Sequence, residues 1–188
     1  MRIGVPRETA AAERRVALVP ATVARLVKQQ HEVVLQRGAG ASSAFPDAEY
    51  EAAGATLADT REAILGGADL VLCVQAPGED ELERMREGTA LAGLLQPGTA
   101  SGPYFERVAA RRLTAFAMEL VPRTTKAQSM DVLSSQATVA GYEAVLLAAS
   151  HLPKLLPMLT TAAGTLAPAR AFVVGAGVAG LQAIATAR

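Results

Sequence analysis

The chain has 188 residues, 51% of them hydrophobic and 19% charged, and its 18 basic and 18 acidic side chains cancel to a formal net charge of +0. That length can bury a sizeable core in one or two domains, and the composition excludes a disordered chain. The charge balance leaves no electrostatic footprint for nucleic acid or for an anionic membrane surface.

A single cysteine, Cys73, rules out an intrachain disulfide. It lies in an apolar run, as expected of an inert buried thiol in a reducing compartment. The opening MRIGVPRE has a proline and charges where a signal peptide would be apolar, and no uninterrupted apolar run reaches the roughly 18 residues of a membrane span. A soluble, cytoplasmic chain without direct membrane insertion is the expectation.

Short apolar runs alternate with helical patterns from the first residues. Residues 2–5 read as a strand, followed by a polar loop carrying Arg7, Glu8, Glu13, Arg14 and Arg15. Pro20 suits a helix's first turn, and Val23, Leu26 and Val27 give that helix one apolar face. A strand over 32–36 ends at Gly38-Ala39-Gly40, and a helix over 47–53 stops at Gly54. A short strand over 55–57 precedes a helix from Asp59 or Thr60 to Gly66-Gly67. Residues 69–74 are almost continuously apolar, the pattern of a strand buried on both faces. A charged helix over 79–86, a strand over 90–95, a helix over 104–111 and a strand over 114–119 follow. Strands alternating with helices predict a parallel α/β sheet of the Rossmann or flavodoxin-like kind, with right-handed crossovers. Ligands of such sheets sit at the carboxyl ends of the strands, which directs attention to the loops after Val5, Val74, Leu95 and Glu119.

Near Pro122 the pattern changes. A polar loop offers Arg123, Thr124, Thr125, Gln128, Ser129 and Asp131 within a few residues, then becomes a helix dense in small side chains. Ala137, Ala140, Gly141, Ala144 and Ala148 recur at three- and four-residue spacing, which lets another backbone come close. Two readings stay open: an N-capped packing helix, with Asp131 or Ser129 as the cap, or a loop that orients a ligand. Residues 152–163 are apolar with prolines at 153 and 157, the pattern of a broken helix; the wider stretch 152–166 could instead form a hairpin or helix that docks on a partner. A strand over 168–174 is expected to run into Gly175-Ala176-Gly177-Val178-Ala179-Gly180 and a helix to the last residue. This G-x-G-x-x-G spacing allows a tight turn, close approach of a pyrophosphate and close helix packing; a merely tight strand–helix turn is the alternative. The acidic ribose-binding residue that follows such motifs by about 20 residues is not among the 188. The expected division is an N-terminal α/β domain over 1–121, a loop and long linking helix over 122–165, and over 166–188 the first β–α of an incomplete second Rossmann domain.

Taken together, RIGVPRE, ERRVALVP, HEVVLQRGAG, QSMDVLSSQATVAGYEAV and VVGAGVAGLQAIATAR resemble the alanine dehydrogenase and transhydrogenase alpha-subunit family, in the family's order and over essentially the whole chain. For the amino-acid dehydrogenase branch the resemblance implies a substrate arginine, a lysine and a histidine. Arg15 is the arginine candidate, but Gln75 and the segment Leu94-Leu95-Gln96-Pro97 stand where the lysine and histidine belong, and a neutral amide is a poor base. For the transhydrogenase branch it implies that Arg123, Gln128, Asp131 and Ser134 contact the nicotinamide or its ribose, the first three as the catalytic set. Gly175, Gly177, Val178, Ala179 and Gly180 would then cradle the NAD(H) pyrophosphate. The resemblance also implies a homodimer working with NADP(H)-binding and membrane-spanning subunits on the cytoplasmic face of a membrane, moving hydride between nicotinamides and coupling that transfer to proton translocation. Direct hydride transfer requires orientation and exclusion of water rather than a base or a metal. The other expectations are an alanine-dehydrogenase-like enzyme, or a fragment that does not bind NAD; the 188 residues alone are expected to be inactive.

Overall fold

The computed structural model describes residues 1–99 and 102–188. The chain divides into two compact units, Met1–Val121 and Pro122–Arg188.

In the first unit six strands form one sheet: β1 (Arg2–Val5), β2 (Glu32–Gln36), β3 (Thr56–Ala58), β4 (Leu70–Gln75), β5 (Ala90–Leu94) and β6 (Thr114–Ala117). All pairings are parallel, in the order β3-β2-β1-β4-β5-β6. That is the doubly wound Rossmann order, whose direction reverses between β1 and β4, so the crevice outside their carboxyl ends is where such sheets hold ligands.

The two-residue period of a strand sorts its side chains to opposite faces. Ile3, Val5, Val33 and Leu35 join Leu18, Val23, Ala39 and Tyr50 in one core, on the side of α1 (Pro20–Lys28) and α2 (Asp47–Ala52). Val71, Cys73 and Leu91 join Leu65, Leu82, Met85, Tyr104 and Val108 in the other. The helices of that side are α3 (Arg61–Gly67), α4 (Glu79–Arg84) and α5 (Gly102–Ala110). Gly4 faces α3 so closely that a Cβ there would lie 2.8 Å from Ile64 Cγ2 and 2.9 Å from Ala68 Cβ. A side chain on that strand would push the helix off the sheet.

Local signals start these helices where the sequence places them. Thr60 caps α3 by accepting the Ala63 N–H at 3.2 Å, and Glu81 of α4 accepts the Gly78 N–H at 2.8 Å. Cys73 is buried and its thiol is pushed up to about 12, chiefly by burial. The last strand stops earlier than its apolar pattern suggests, because residues Met118–Leu120 turn into a 3-10 helix.

The second unit departs further from expectation. A 3-10 stretch at Thr125–Met130 leads into α6 (Val132–His151). The apolar segment after it makes no broken helix. It forms the antiparallel hairpin that the sequence also allowed, β7 (Leu159–Thr161) and β8 (Gly164–Leu166), turned at Ala162-Ala163 with Gly164 after the turn at φ of 130°. Pro153 and Pro157 each remove a helix donor, which defeats a helix there and leaves Leu159 and Leu166 to face each other across the hairpin.

The strand expected over 168–174 is absent as well. A strand is made by its neighbour, and among the described residues none lies beside this segment, where Phe172 and Val174 are 91% and 87% exposed. The helix after it, α7 (Val178–Ala187), forms as expected. Among the described residues α6 alone is long and apolar enough to cross a membrane, with a mean hydropathy of 1.2; it carries Glu143, and Gly141 and Val145 on it are buried against protein.

Replacing Tyr50 by phenylalanine tests the first core. The Tyr50 hydroxyl donates to the Leu18 carbonyl at 2.9 Å in a buried setting. Tyr50→Phe should cost about 1–2 kcal/mol of unfolding free energy, seen as a lower urea midpoint with an unchanged slope.

Candidate functional site

Asp131 sets the geometry of the polar loop in the second unit. As the N-cap of α6 it accepts the Ser134 N–H at 2.9 Å and the Ser134 hydroxyl at 2.6 Å. The Ser134 hydroxyl, then its backbone N–H, with the Arg123 charge adding less, hold the carboxyl below the usual carboxylate range. The Ser134 proton is therefore committed to Asp131, and the remaining lone pairs of its Oγ are free to accept from a ligand. Arg123 makes no ion pair among the described residues, so its guanidinium is not held by Asp131. Both Asp131 oxygens are already engaged by Ser134 and by the turn it caps.

The glycine turn supplies the facing wall. Gly175 has φ of 97°, a left-handed conformation that costs a side-chain-bearing residue about 1–2 kcal/mol. A Cβ on Gly177, the N-cap of α7, would meet nothing within 4 Å, which leaves open space over the first backbone amides of the helix. A Cβ on Gly180 would press on the Gly175 carbonyl oxygen and lie 3.0 Å from its carbon. Gly175 thus makes the turn and Gly180 the close packing, while Gly177 leaves the start of the helix uncovered.

These two walls enclose a cleft of about 340 Å³ lined by Arg123, Leu133, Ser134, Ala137, Val174, Gly175 and Gly177–Gly180. Of the residues singled out from sequence, Arg123, Ser134, Gly175, Gly177, Val178, Ala179 and Gly180 meet here. Asp131 acts from behind, through Ser134. Gln128 sits on the exposed face of the 3-10 stretch and does not line the cleft. Leu133, Ala137 and Val174 were not singled out as ligand neighbours; only Ala137 carried a signal, as one of the small residues at helical spacing.

A dinucleotide fits the chemistry of this lining. The unobstructed N-terminus of α7 can take a pyrophosphate on backbone N–H groups and the positive end of the helix dipole. The guanidinium of Arg123 offers donors to an amide oxygen or hydroxyl, and Ser134 offers an acceptor.

A second cleft, of about 380 Å³, lies in the first unit and is lined by Arg7, Glu8, Thr9, Glu13, Arg14, Arg15, Ala39 and Ser42. Its two carboxylates are both satisfied within the fold. Glu13, whose side chain is 7% exposed, pairs with Arg15 through Nε at 2.7 Å and Nη2 at 2.6 Å. The Gln75 amide donates to Glu13 Oε2 at 2.7 Å. Glu8, a residue of the polar loop to which the sequence assigned no role, accepts the Val74 and Gln75 N–H groups at 2.6 and 3.2 Å and latches the loop after β1 onto the end of β4. Gln96 takes a left-handed turn with φ of 50°, and its side-chain oxygen accepts from Thr99 at 3.2 Å. No side chain at 75 or 96 is a base.

A doubly wound parallel sheet, together with a unit built on a glycine turn that opens a helix, defines an α/β protein of the dehydrogenase type. The chain belongs to the alanine dehydrogenase/PNT family: residues 4–140 match the family's N-terminal domain and 144–188 its C-terminal domain. It is 46% identical over 193 residues to the first portion of the divided NAD(P) transhydrogenase subunit alpha of Rhodospirillum rubrum, covering 100% of this chain and 50% of that one. The crystal structure of transhydrogenase from Sinorhizobium meliloti superposes with a TM-score of 0.93 at 45% identity, over 100% of this chain and 53% of that one. Alanine dehydrogenase of Mycolicibacterium smegmatis is 37% identical over 186 residues, 97% of this chain and 49% of its own. The chain thus spans about half the length of these curated relatives, and it is more similar to the transhydrogenase subunit than to this alanine dehydrogenase.

Two measurements follow from the charges. Arg15, then the Gln75 amide and the Arg15 N–H, outweigh burial and pull the Glu13 carboxyl from 4.5 to about 2. A depressed folded-state value means that the pair stabilises above pH 4.5 and that this is lost as pH falls toward 2. Allowing for the part-exposed Arg15, Glu13→Gln should cost about 2 kcal/mol at neutral pH, with the difference from wild type closing as unfolding is measured at successively lower pH. Asp131→Ala should loosen the start of α6, read as faster amide exchange at Ser134 and through the first turn of the helix.

Proposed function

We propose that this chain is the NAD(H)-binding portion of an NAD(P) transhydrogenase alpha subunit. The observation that carries the reading is the cleft itself: Arg123 and Ser134 on one wall, and on the other an open glycine turn at a helix N-terminus. Bound there, the nicotinamide supplies the hydride, which passes directly to NADP+ held by a partner subunit. The chain's own residues hold and orient. Gly177 and the first amides of α7 take the pyrophosphate, with Val178 and Ala179 contributing their N–H groups. Arg123 donates to the nicotinamide carboxamide or its ribose, and Ser134, its proton held by Asp131, accepts from the carboxamide. Gln128, exposed on the 3-10 stretch that precedes α6, offers a neutral amide to the ligand. Orientation of this kind accounts for several orders of magnitude in rate without a proton-transferring group.

Within this reading, 1–121 is the N-terminal α/β domain, 122–165 is the nicotinamide loop with the linking helix, and 166–188 opens the NAD-binding Rossmann domain. Support for the transhydrogenase branch over the amino-acid dehydrogenase comes from the first unit. Gln75 is spent on Glu13 and Gln96 on Thr99, so deprotonation of an amino acid would have no base at either place. We further infer a homodimer that assembles with NADP(H)-binding and membrane-spanning subunits, is peripheral on the cytoplasmic face, and couples hydride transfer to proton movement. The exposed apolar hairpin, with Leu159 and Leu166 42% and 55% exposed, suits a surface covered on assembly.

In the protein assembled with its partner subunits, Arg123→Ala should lower kcat/KM for hydride transfer from NADH to an NADP+ analogue by at least about tenfold, a loss of roughly 1.4 kcal/mol. Unchanged transfer in Arg123→Ala and Gln128→Asn would remove these residues from the site. Alanine-dependent formation of NADH by the same protein would instead establish the amino-acid dehydrogenase.

A further inference from the structure

The two walls of the dinucleotide cleft stand on different elements, and the gap between them is set where α6 and α7 meet. Gly141 is buried on α6. A Cβ built on it would collide with the carbonyl oxygen of Ala179 and lie 2.9 Å from that residue's carbonyl carbon and 3.0 Å from its Cα. All three atoms are main chain in the first turn of α7, so none can swing aside as a side-chain tip can. Real Cβ atoms essentially never come within 3.0 Å of another heavy atom. Any residue other than glycine at 141 must therefore move a helix.

The position of Gly141 along α6 makes that movement matter. Ser134, Ala137 and Gly141 follow at spacings of three and four, so they share one face of the helix. Ser134 and Ala137 line the cleft, and Ala179, the residue against which Gly141 rests, lines it from the other side. The contact at Gly141 thus fixes how far the start of α7, with Gly177 above it, stands from Ser134 and Arg123.

We propose that Gly141 is a positioning residue: it sets the width of the cleft so that one dinucleotide spans from the glycine turn to the Arg123–Ser134 wall. This rests on the reading that the cleft takes NAD(H). Alanine at 141 would spread the walls by on the order of 1 Å, a misplacement large enough to matter at a reacting centre. A ligand that bridges both walls feels the change, because its second half binds intramolecularly, at an effective concentration that the spacing sets. A ligand that touches one wall does not feel it.

The test compares whole and half ligands by calorimetry on the chain expressed from its complete reading frame. NADH spans the cleft, ADP probes the glycine turn, and nicotinamide mononucleotide probes the Arg123–Ser134 wall. Gly141→Ala is expected to weaken NADH at least tenfold while ADP and the mononucleotide stay within twofold of wild type. Val145→Ala, one turn further along the same face, removes buried volume without forcing the helices apart. It should keep the wild-type ratio of NADH to ADP affinity. Unchanged NADH binding in Gly141→Ala overturns the proposal. So does an equal loss of all three ligands, through unfolding or otherwise, or a Val145→Ala variant that reproduces the selective loss. Wild-type protein that binds ADP but not NADH would instead sink the underlying reading of the cleft, and the inference with it.

Discussion

Backbone approached so closely that no Cβ fits is the constraint on which both units depend. Gly4 on the central strand lets α3 lie against the sheet, and Gly93 on β5 leaves room for the Cys73 thiol, which a Cβ would meet at 2.7 Å. Gly141 lets α7 settle on α6, and Gly180 lets the same helix fold back over its own turn. Interiors are close-packed, so contacts of this kind admit little compromise: an added methyl group must displace a whole element. In the first unit the consequence is a tight sheet. In the second it is the shape of a cleft.

The two clefts are built on opposite electrostatic plans. Around the first, the carboxylates are satisfied internally: Arg15 with Gln75 holds Glu13, and Glu8 is consumed by two backbone amides. Arg61, paired with Glu81 and bonded to the Arg7 carbonyl, ties the same loop to α3 and α4. Such a network stiffens the loop after β1, because removing any one partner would leave another buried and unpaired. The second cleft keeps its groups available. Asp131 orients Ser134 and caps α6, Arg123 pairs with no described carboxylate, and the N-terminus of α7 stands open. A surface that must hold a ligand by orientation needs donors and acceptors not already satisfied within the fold.

Legibility followed how local each cause was. β1 and β2 are found over the residues that their apolar runs mark, and α1 begins at Pro20 because proline suits a first helical turn. Asp131 was one of two residues able to cap α6; the choice between Asp131 and Ser129 depended on which reached the Ser134 amide. Residues 168–174 have strand composition yet form none, since a ladder requires a neighbour that composition cannot guarantee. Of the arrangements open to residues 152–166, the two prolines deny a helix its donors, and the hairpin forms over 159–166. The role of Glu8 was not legible because its partners, the amides of Val74 and Gln75, lie 66 and 67 residues away.

By itself the sequence determined the alternation of strands and helices in the first unit, the glycine spacing of the turn, the two residues able to cap α6 and the absence of a base at 75 and 96. Each of these is written within a few neighbouring residues, through dihedral preference, periodicity or side-chain chemistry. Only the tertiary structure decided the strand order, the internal neutralisation of Glu13, and the place of Gln128 outside the cleft that Arg123 and Ser134 share with the glycine turn. It also turned Gly141 from one small residue in a stripe into the contact that spaces the two walls. The physical reason is distance along the chain: Gly141 owes its role to the backbone at Ala179, and no local pattern can announce a partner that only folding brings near.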